Sequence, residues 1–362
     1  MSKRKGKVLM AMSGGIDSSV AALLLLKEGY ELVGVTFYNF DSISDSCDAK
    51  QNSYNRVESI MEAKSLAEKL GFEHHTLDIR EEFKSTIIAN FIDEYIHGRT
   101  PNPCVLCNAY VKWGLLMDEM RKRDCNYIAT GHYAQIQQEN GRYFLQKGKD
   151  ITKDQTYFLW MLTQQNLAST LFPLGEMTKQ AVREIAAANG FDTLSKKDES
   201  QEICFIPQND YRHFLENNIE NYSLRFPSGD FLNAAGDVVG KHSGYPNYTI
   251  GQRKGLGVAL GYPAYVVAIN PKLNQVILGK KEELFGDSCF IKNINLMKYD
   301  TLPTDKPFTV RIRYRNEGVL ARLQQEEEGI VCQFLTPIDA ITPGQSAVFY
   351  ENDDLVGGGV IQ

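Results

Sequence analysis

The sequence predicts an α/β plus β protein, with an N-terminal doubly wound parallel sheet, a small central domain and a C-terminal β-barrel. Strand and helix patterns alternate through roughly the first 200 residues, which indicates a parallel sheet with helices on both faces. From about residue 210 turn residues multiply between short β runs, a pattern typical of barrels and also of sandwiches. A chain of 362 residues is long enough for two or three domains. We therefore expect domains at 1–206, 207–280 and 281–362.

The elements of the predicted sheet follow from their apolar patterns. Short apolar runs predict strands at 8–10, 31–37, 74–78 and 127–133. Apolar residues at helical spacing predict helices at 20–26 and 56–70, the second ending at Gly71. Parallel sheets bind ligands at the carboxyl ends of their strands. The loop after the first strand, Phe37 and Gly131 should therefore lie along one edge.

The loop after the first strand carries a strong chemical signal, because residues 11–18 are Ala-Met-Ser-Gly-Gly-Ile-Asp-Ser. Gly14 and Gly15 let backbone N–H groups converge on an anion, and the following helix adds a partial positive charge. Asp17 would repel a phosphate unless a magnesium ion bridged the two. The loop matches neither the Walker nor the dinucleotide fingerprint. It is similar to the pyrophosphate-binding loop of the ATP pyrophosphatases; the alternative is an ordinary strand–turn–helix corner.

Composition narrows the class of protein. The hydrophobic content of 43% is normal for a globular protein, and no apolar run approaches the ~20 residues that span a bilayer. The basic first residues lead straight into a strand, which argues against a signal peptide. Seven cysteines without framework spacing suit a reducing cytoplasm. A net charge of −6 excludes a uniformly basic nucleic-acid binder but allows a local basic groove.

Three cysteines are placed where they could perform chemistry. Cys104 and Cys107 follow a proline-rich approach, and a helix predicted over 109–120 puts Cys107 near a helix N-terminus, where thiol pKa values fall. Cys204 lies at the end of the α/β region. Half a zinc site, a redox pair or coincidence are the alternatives for the Cys-x-x-Cys spacing. The remaining cysteines lack partner spacing and are interpreted as buried small residues: Cys47, Cys125, Cys289 and Cys332.

An alternating stretch at 308–315 predicts a strand with two different faces. Apolar residues would lie on one face, and Arg311, Arg313 and Arg315 on the other. Three guanidinium groups in a row suit a phosphate backbone. A solvated edge strand protected by charge is the alternative.

Six stretches, in order along nearly the whole chain, together resemble the bacterial tRNA-specific 2-thiouridylases, the MnmA family of the ATP pyrophosphatase superfamily. They are Met-Ser-Gly-Gly-Ile-Asp-Ser-Ser-Val (12–20), Arg-Thr-Pro-Asn-Pro-x-x-x-Cys-Asn (99–108), Ala-Thr-Gly-His-Tyr-Ala (129–134), Lys-Asp-Gln-Thr-Tyr-Phe-Leu (153–159), Glu-Ile-Cys-Phe-Ile (202–206) and Tyr-Thr-Ile-Gly-Gln-Arg-Lys-Gly-Leu-Gly (248–257). Six ordered motifs are far more specific than the loop alone.

The resemblance implies a fold, a reaction and its sites. The fold is that of the adenine nucleotide alpha hydrolases with a PP-loop. The reaction is ATP-dependent 2-thiolation of the wobble uridine of tRNA, by adenylation of uridine O2 and then sulfur transfer from a cysteine persulfide, with AMP and pyrophosphate as products. ATP with Mg²⁺ would be held by Ala11, Met12, Ser13, Gly14, Gly15, Ile16, Asp17, Ser18, Phe37 and Gly131. The target base and tRNA would meet Asn102, Pro103, Cys104, His132, Lys153, Asp154, Gln155, Arg313, Tyr314 and Gln345. Cys107 would be the nucleophile and Cys204 would carry the persulfide.

The resemblance also implies partners, and one departure from the family pattern opens an alternative. The partners are tRNA, with lysine, glutamate and glutamine acceptors, and a persulfide-donating protein of a cysteine desulfurase relay. The family often has aspartate where this chain has Cys104. Cys104, Cys107 and Cys204 could instead ligate a [4Fe-4S] cluster whose open iron site binds sulfide. Two rival functions are an amide-forming ATP pyrophosphatase, which leaves the cysteines unexplained, and a non-catalytic RNA-binding protein, which the intact loop disfavours.

Overall fold

The computed structural model describes residues 5–40, 56–191 and 203–362. Its strands are β1 Lys7–Ala11, β2 Glu31–Tyr38, β3 Glu73–Asp78, β4 Tyr127–Ala129, β5 Ala134–Glu139, β6 Arg142–Lys147, β7 Thr170–Leu171, β8 Gly229–Leu232, β9 Val238–His242, β10 Tyr265–Asn270, β11 Gln275–Gly279, β12 Phe285–Leu296, β13 Phe308–Arg311, β14 Val319–Glu326, β15 Gly329–Asp339, β16 Ser346–Glu351 and β17 Asp354–Ile361.

The helices described fall mainly in the first half of the chain. The α-helices are Ile16–Lys27, Arg56–Leu70, Arg80–Phe83, Ala89–Ile96, Pro103–Leu106, Trp113–Lys122, Gln164–Ala168, Lys179–Ala188, Tyr211–Asn218 and Tyr222–Arg225. Two π-helical turns, Lys84–Ile88 and Cys107–Lys112, join α-helical segments. Short 3₁₀ turns are Ile151–Lys153, Thr156–Phe158, Pro207–Asn209, Tyr245–Asn247, Pro271–Leu273 and Lys281–Leu284. Within these ranges, no helix is long and apolar enough to cross a membrane.

The N-terminal region contains a parallel sheet with the order β3-β2-β1-β4-β7, counted over the described residues. Side chains of β1 alternate between the two faces, since Leu9 belongs to one hydrophobic cluster while Val8 and Met10 belong to the other. Helices Ile16–Lys27 and Lys179–Ala188 cover the second cluster, and Trp113–Lys122 covers the first. The predicted doubly wound sheet is confirmed.

The sheet differs from the sequence expectation in one strand that concerns the site. β4 ends at Ala129 rather than at residue 133. The chain then leaves the sheet, and the backbone of Gly131 lies against the start of helix Ile16–Lys27. A Cβ atom on Gly131 would lie 2.8 Å from the Ser18 nitrogen and 2.9 Å from the Asp17 carbonyl carbon, so only glycine fits this approach.

The cysteine-bearing helix also begins earlier than expected. It starts at Pro103, not at residue 109. Proline is favourable at the first helical position, because the N–H group that it lacks would have no partner within the helix. The helix continues through the π-helical turn Cys107–Lys112 into Trp113–Lys122. Cys107 therefore opens a π turn inside a helix instead of standing at a helix N-terminus.

The rest of the chain is β-rich, as predicted. The central region has a four-stranded sheet with the order β10-β11-β8-β9. In the last region β12, β15, β14, β13, β16 and β17 close into a barrel, because β12 also pairs with β17. The hairpin β5–β6 of the N-terminal region extends this sheet by pairing with β17, which joins the barrel to the α/β region. The predicted C-terminal barrel is confirmed, and the sandwich alternative is wrong.

The predicted arginine face at 308–315 is wrong in the structure. β13 ends at Arg311, and residues 312–315 form bends and turns. The Arg311 guanidinium turns inward, where it donates to the Asn316 carbonyl at 2.7 Å and to the Tyr314 carbonyl, and lies 3.5 Å from a carboxylate oxygen of Asp154. The alternation of apolar and basic residues predicts a strand as far as residue 315, but a local pattern cannot reveal the partners that draw Arg311 inward.

Candidate active site

The loop after β1 has the geometry of an anion cradle. Gly14 has a φ of +75°, and a Cβ atom there would lie 2.4 Å from the Ser59 carbonyl oxygen of the neighbouring helix. Ser13 and Ser18 brace each other through hydroxyls 3.3 Å apart, and Ser18 also donates to the Gly15 carbonyl at 3.1 Å. Among the described residues, no side chain caps the N-terminus of helix Ile16–Lys27 at Gly15. Its first N–H groups are therefore oriented to bind an anion.

Asp17 is held by a lysine that the sequence motif does not contain. Lys179 Nζ donates to both carboxylate oxygens of Asp17, at 2.7 and 2.8 Å, and the Tyr133 hydroxyl donates to one of them at 2.8 Å. The lysine side chain is 8% exposed. Gln155 in turn accepts from the Tyr133 backbone N–H at 3.0 Å. This cluster places a cation beside the anion cradle.

The ion pair changes the argument for magnesium. Because Lys179 already compensates the charge of Asp17, the repulsion between Asp17 and a phosphate no longer by itself requires a metal. The donor set still fits the ion: proteins hold Mg²⁺ through one or two carboxylates, with phosphate oxygens and water completing the shell. Asp17, one third exposed at the loop, is the residue that would hold it.

The other predicted nucleotide residues lie at the same sheet edge. Gly131 contacts the start of helix Ile16–Lys27, as described above. Phe37 lies near the carboxyl end of β2, which pairs in parallel with β1. Ala11 ends β1, and Met12 donates to the Val35 carbonyl at 2.8 Å. The sheet thus brings the loop, Phe37 and Gly131 to one edge.

Cys104 and Cys107 share one helical face. They are three positions apart, which places both side chains on the same side of the helix. Burial raises the pKa of the Cys104 thiol to about 11, with the nearby Cys107 adding to the rise and the charge of Lys112 opposing it. Cys104 is therefore a neutral thiol near pH 7 and cannot replace an aspartate as a carboxylate base.

The residue after Cys204 and the turn that begins with Cys107 contact the same helical region from different parts of the chain. Cys204 is exposed and Cys107 is half-buried. The ring of Phe205 packs against Phe83 and Phe91, with centroids 5.6 and 5.4 Å apart. The helix Arg80–Phe83 also contacts the π turn that begins with Cys107. One helix therefore supports the surroundings of both cysteines, although they are distant in sequence.

The iron–sulfur expectation is not supported. Among the described residues, which include Cys104, Cys107 and Cys204, no group of three or more His, Cys, Asp or Glu side chains is arranged to hold a metal ion. The thiol of Cys104 also favours its protonated form, whereas a cluster ligand must be a thiolate. We do not retain the cluster.

Lys112 and His132 form a second polar group beside the cysteines. His132 lies 2.7 Å from the Thr130 hydroxyl through Nδ1, and its ring packs against Trp113 at 5.6 Å. Burial lowers the pKa of His132 well below its usual range, and the charge of Lys112 lowers it further. Lys112 forms no ion pair within the described chain. The site thus combines an imidazole of lowered pKa with a lysine that has no ion-pair partner among the described residues.

The residues expected to meet tRNA are mostly engaged with the protein. Asp154 is buried and accepts from Thr156, Gln155 holds Tyr133, and Arg313 pairs with Asp339 at 2.8 Å. Tyr314 packs against Phe158 with ring centroids 4.4 Å apart. Lys153 is half-buried, and Asn102 interacts with the Tyr157 hydroxyl. Their tRNA contacts stay predictions.

Sequence reasoning missed three features of this region. Lys179 and Lys112 belong to no motif that we recognised, and only the fold brings them to the loop and to the cysteines. The sequence gives Cys289 and Cys332 no partner, but they are directly opposite each other in the β12–β15 ladder, and the neighbouring Cys289 raises the pKa of the Cys332 thiol. A signal for this pair could be found only after the strand register was known.

Three family profiles match consecutive parts of the chain. They are the tRNA methyl transferase HUP domain over residues 6–208, the tRNA methyl transferase PRC-barrel domain over 212–280 and the aminomethyltransferase β-barrel domain over 287–361. Together these profiles cover the α/β region, the central sheet and the barrel.

Three relatives that match almost the whole chain carry the same enzyme name. The chain is 49% identical over 360 residues to a tRNA-specific 2-thiouridylase MnmA of Amoebophilus asiaticus, a match that covers 99% of this chain and 96% of that protein. It is 46% identical to the protein so named in Cytophaga hutchinsonii, covering 99% and 98%. It is 47% identical to that of Salinibacter ruber, covering 99% and 94%.

Proposed function

The chain belongs to the family of tRNA-specific 2-thiouridylases, and from this premise we propose that it replaces O2 of the tRNA wobble uridine with sulfur, using ATP. The observation that carries the proposal is the joint placement, on one α/β scaffold, of an anion cradle with its Asp17–Lys179 pair and of a helix bearing Cys107. The first can bind a triphosphate and the second can supply a thiol nucleophile.

In the proposed first step, uridine O2 attacks the α-phosphorus of ATP, and pyrophosphate leaves. The backbone N–H groups after Gly14 and the Lys179 ammonium stabilise negative charge on the departing pyrophosphate. Magnesium, when bound, would neutralise further phosphate charge. The adenylated base has an electrophilic C2 and carries AMP as a good leaving group.

In the proposed second step, sulfur passes from a persulfide on Cys204 to C2. In one order, the terminal sulfur attacks C2, AMP leaves, and Cys107 then attacks the Cys204 sulfur to release 2-thiouridine. In the other order, Cys107 first attacks the Cys204 sulfur and releases sulfide, which then attacks C2. Both orders leave a disulfide between Cys107 and Cys204 that an external thiol must reduce. The exposed position of Cys204 suits loading by a persulfide-donating protein.

The tRNA is proposed to lie across the α/β region and the barrel. The contacts proposed on the resemblance are Asn102, Pro103 and Cys104 for the base, and His132, Lys153, Asp154, Gln155, Arg313, Tyr314 and Gln345 for the RNA. A base must leave its stack to enter such a site, at a cost of a few kcal/mol. The acceptors proposed are those for lysine, glutamate and glutamine, and the compartment is the cytoplasm. The domain division at 1–206, 207–280 and 281–362 is part of the proposal.

Mass analysis of tRNA nucleosides tests this function directly. The protein is incubated with unmodified tRNA, ATP and a persulfide donor, and the digest is examined for a uridine in which one oxygen is exchanged for sulfur. The expected product appears only with ATP and only at the wobble uridine. A methylated nucleoside instead would support the methyl-transfer label of two family profiles and would overturn the proposal.

A further inference from the structure

The segment that leads into the cysteine-bearing helix has few hydrogen-bond donors of its own. It runs from Arg99 to Pro103, and Pro101 and Pro103 have no backbone N–H. The carbonyls of Thr100 and Pro101 must therefore find donors elsewhere, because buried backbone carbonyls are costly to leave unpaired. The donors come from the barrel.

The barrel presents these donors from the turn between β15 and β16. Gln345 Nε2 donates to the Thr100 carbonyl at 3.0 Å and to the Pro101 carbonyl at 2.9 Å. In the opposite direction, the Thr100 N–H donates to the Pro343 carbonyl at 2.9 Å. Both N–H bonds of the Gln345 amide are thus used within the protein.

The turn that carries Gln345 is itself firmly attached. Gly344 donates to the Ile361 carbonyl at 2.9 Å, and Ile361 donates to the Gln345 carbonyl at 2.9 Å. Gly344 has a φ of +90°, and a Cβ atom there would lie 2.8 Å from both the Thr100 oxygen and a Glu94 carboxylate oxygen. The barrel therefore approaches the segment as closely as glycine allows.

We propose that Gln345 is a positioning residue for the reaction: its amide fixes the backbone of Thr100 and Pro101. It thereby fixes Asn102 and the start of the helix that carries Cys104 and Cys107. The assignment rests on the proposed function and is an alternative to the tRNA contact that the resemblance implies for this residue. The barrel then serves the chemistry directly, in addition to any RNA that it binds.

The decisive variant is Gln345→Glu, which keeps the size of the side chain but removes both donors and turns a carboxylate toward two carbonyls. We expect the single-turnover thiolation rate at saturating tRNA to fall by about 10- to 100-fold, the effect typical of a small displacement of a reacting group. The dissociation constant for tRNA should stay within about twofold, because the amide donors face the protein. Gln345→Lys, which can still donate to carbonyls, should recover most of the rate.

Gln325→Glu is the matched control. Gln325 also donates its amide to two backbone carbonyls in the barrel, those of Glu326 and Gly329, but at the β14–β15 hairpin. Its loss should leave the thiolation rate unchanged. An unchanged rate in Gln345→Glu, or a loss of tRNA affinity of tenfold or more, would overturn the positioning role.

A measurement without tRNA separates this inference from the proposed function. Hydrogen exchange of the peptide covering 97–106, and alkylation of Cys107 followed by mass spectrometry, are compared between wild type and Gln345→Glu. Faster exchange and an altered Cys107 rate are expected in the variant even if the chain thiolates nothing. Identical exchange and alkylation would refute the brace. If Gln345→Glu fails to fold, Gln345→Met, which removes both donors without adding a charge, is compared with wild type in the same way.

Discussion

Replacing Lys179 by methionine should stop the adenylation step. Lys179 donates to both oxygens of Asp17 and its side chain is 8% exposed, so its charge acts in a partly dry environment beside the anion cradle. Losing one such group costs about 10²- to 10³-fold in rate, or ~3–4 kcal/mol of transition-state stabilisation. The folded state should lose only ~2 kcal/mol, because Asp17 is one third exposed and keeps the Tyr133 hydroxyl.

The assay is tRNA-dependent release of pyrophosphate from ATP, with thermal unfolding measured on the same samples. Lys27→Met is the matched control, since Lys27 is exposed at the far end of helix Ile16–Lys27. We expect the control to release pyrophosphate at the wild-type rate. Release by Lys179→Met within about threefold of wild type, in a folded protein, would refute the role given to the Asp17–Lys179 pair.

Four further outcomes are expected. Alkylation of Cys104 should be slow at pH 8 and should rise about tenfold per pH unit until the pKa near 11, which peptide mass spectrometry can follow; a plateau below about pH 9 would contradict the buried neutral thiol. Lys112→Met should lower the thiolation rate by about tenfold or more without weakening ATP binding, and an unchanged rate would remove Lys112 from the site. Gly131→Ala should raise the KM for ATP by about tenfold or more, because its Cβ would press on the loop, whereas Gly114→Ala, exposed with open space around it, should not. The pKa of His132 is lowered in the folded state, so below about pH 6.5 the unfolded chain binds a proton that the folded chain does not bind. The free energy of unfolding, measured by urea titration, should therefore decrease as the pH falls below this value. The decrease should be smaller in His132→Gln.

The parts of the fold that the sequence predicts well are those determined by local patterns. Helix Arg56–Leu70 matches its prediction and is followed by Gly71 with a φ of +80°. The strand–loop–helix unit around residues 11–18 is also confirmed. Both depend on residues close in sequence, where apolar spacing and glycine positions carry the signal.

The parts that escaped prediction depend on partners distant in sequence. Lys179 reaches Asp17 across 162 positions, and no spacing rule connects them. Arg311 turns inward because its guanidinium binds Asp154 and the carbonyls of Tyr314 and Asn316, and a strand pattern cannot show these partners. The pairing of Cys289 with Cys332 can be recognised only from the register of β12 and β15. Tertiary contacts, not local propensity, determine these sites.

The two roles considered for Gln345 lead to different expectations. The family pattern implies a contact with tRNA, whereas the structure uses both amide hydrogens of Gln345 on the Thr100 and Pro101 carbonyls. The two roles make different demands, since one changes affinity for tRNA and the other changes the rate of the chemical step. Kinetics on one substitution can therefore separate them.

The sulfur relay is tested most directly by single turnover without reductant, followed by peptide mass analysis of the protein. Enzyme loaded with persulfide is mixed with ATP and tRNA, then quenched with an alkylating agent. We expect one disulfide-linked peptide joining Cys107 and Cys204 for each thiolated uridine. Thiolated tRNA formed while both thiols are recovered as separate alkylated peptides would contradict the account.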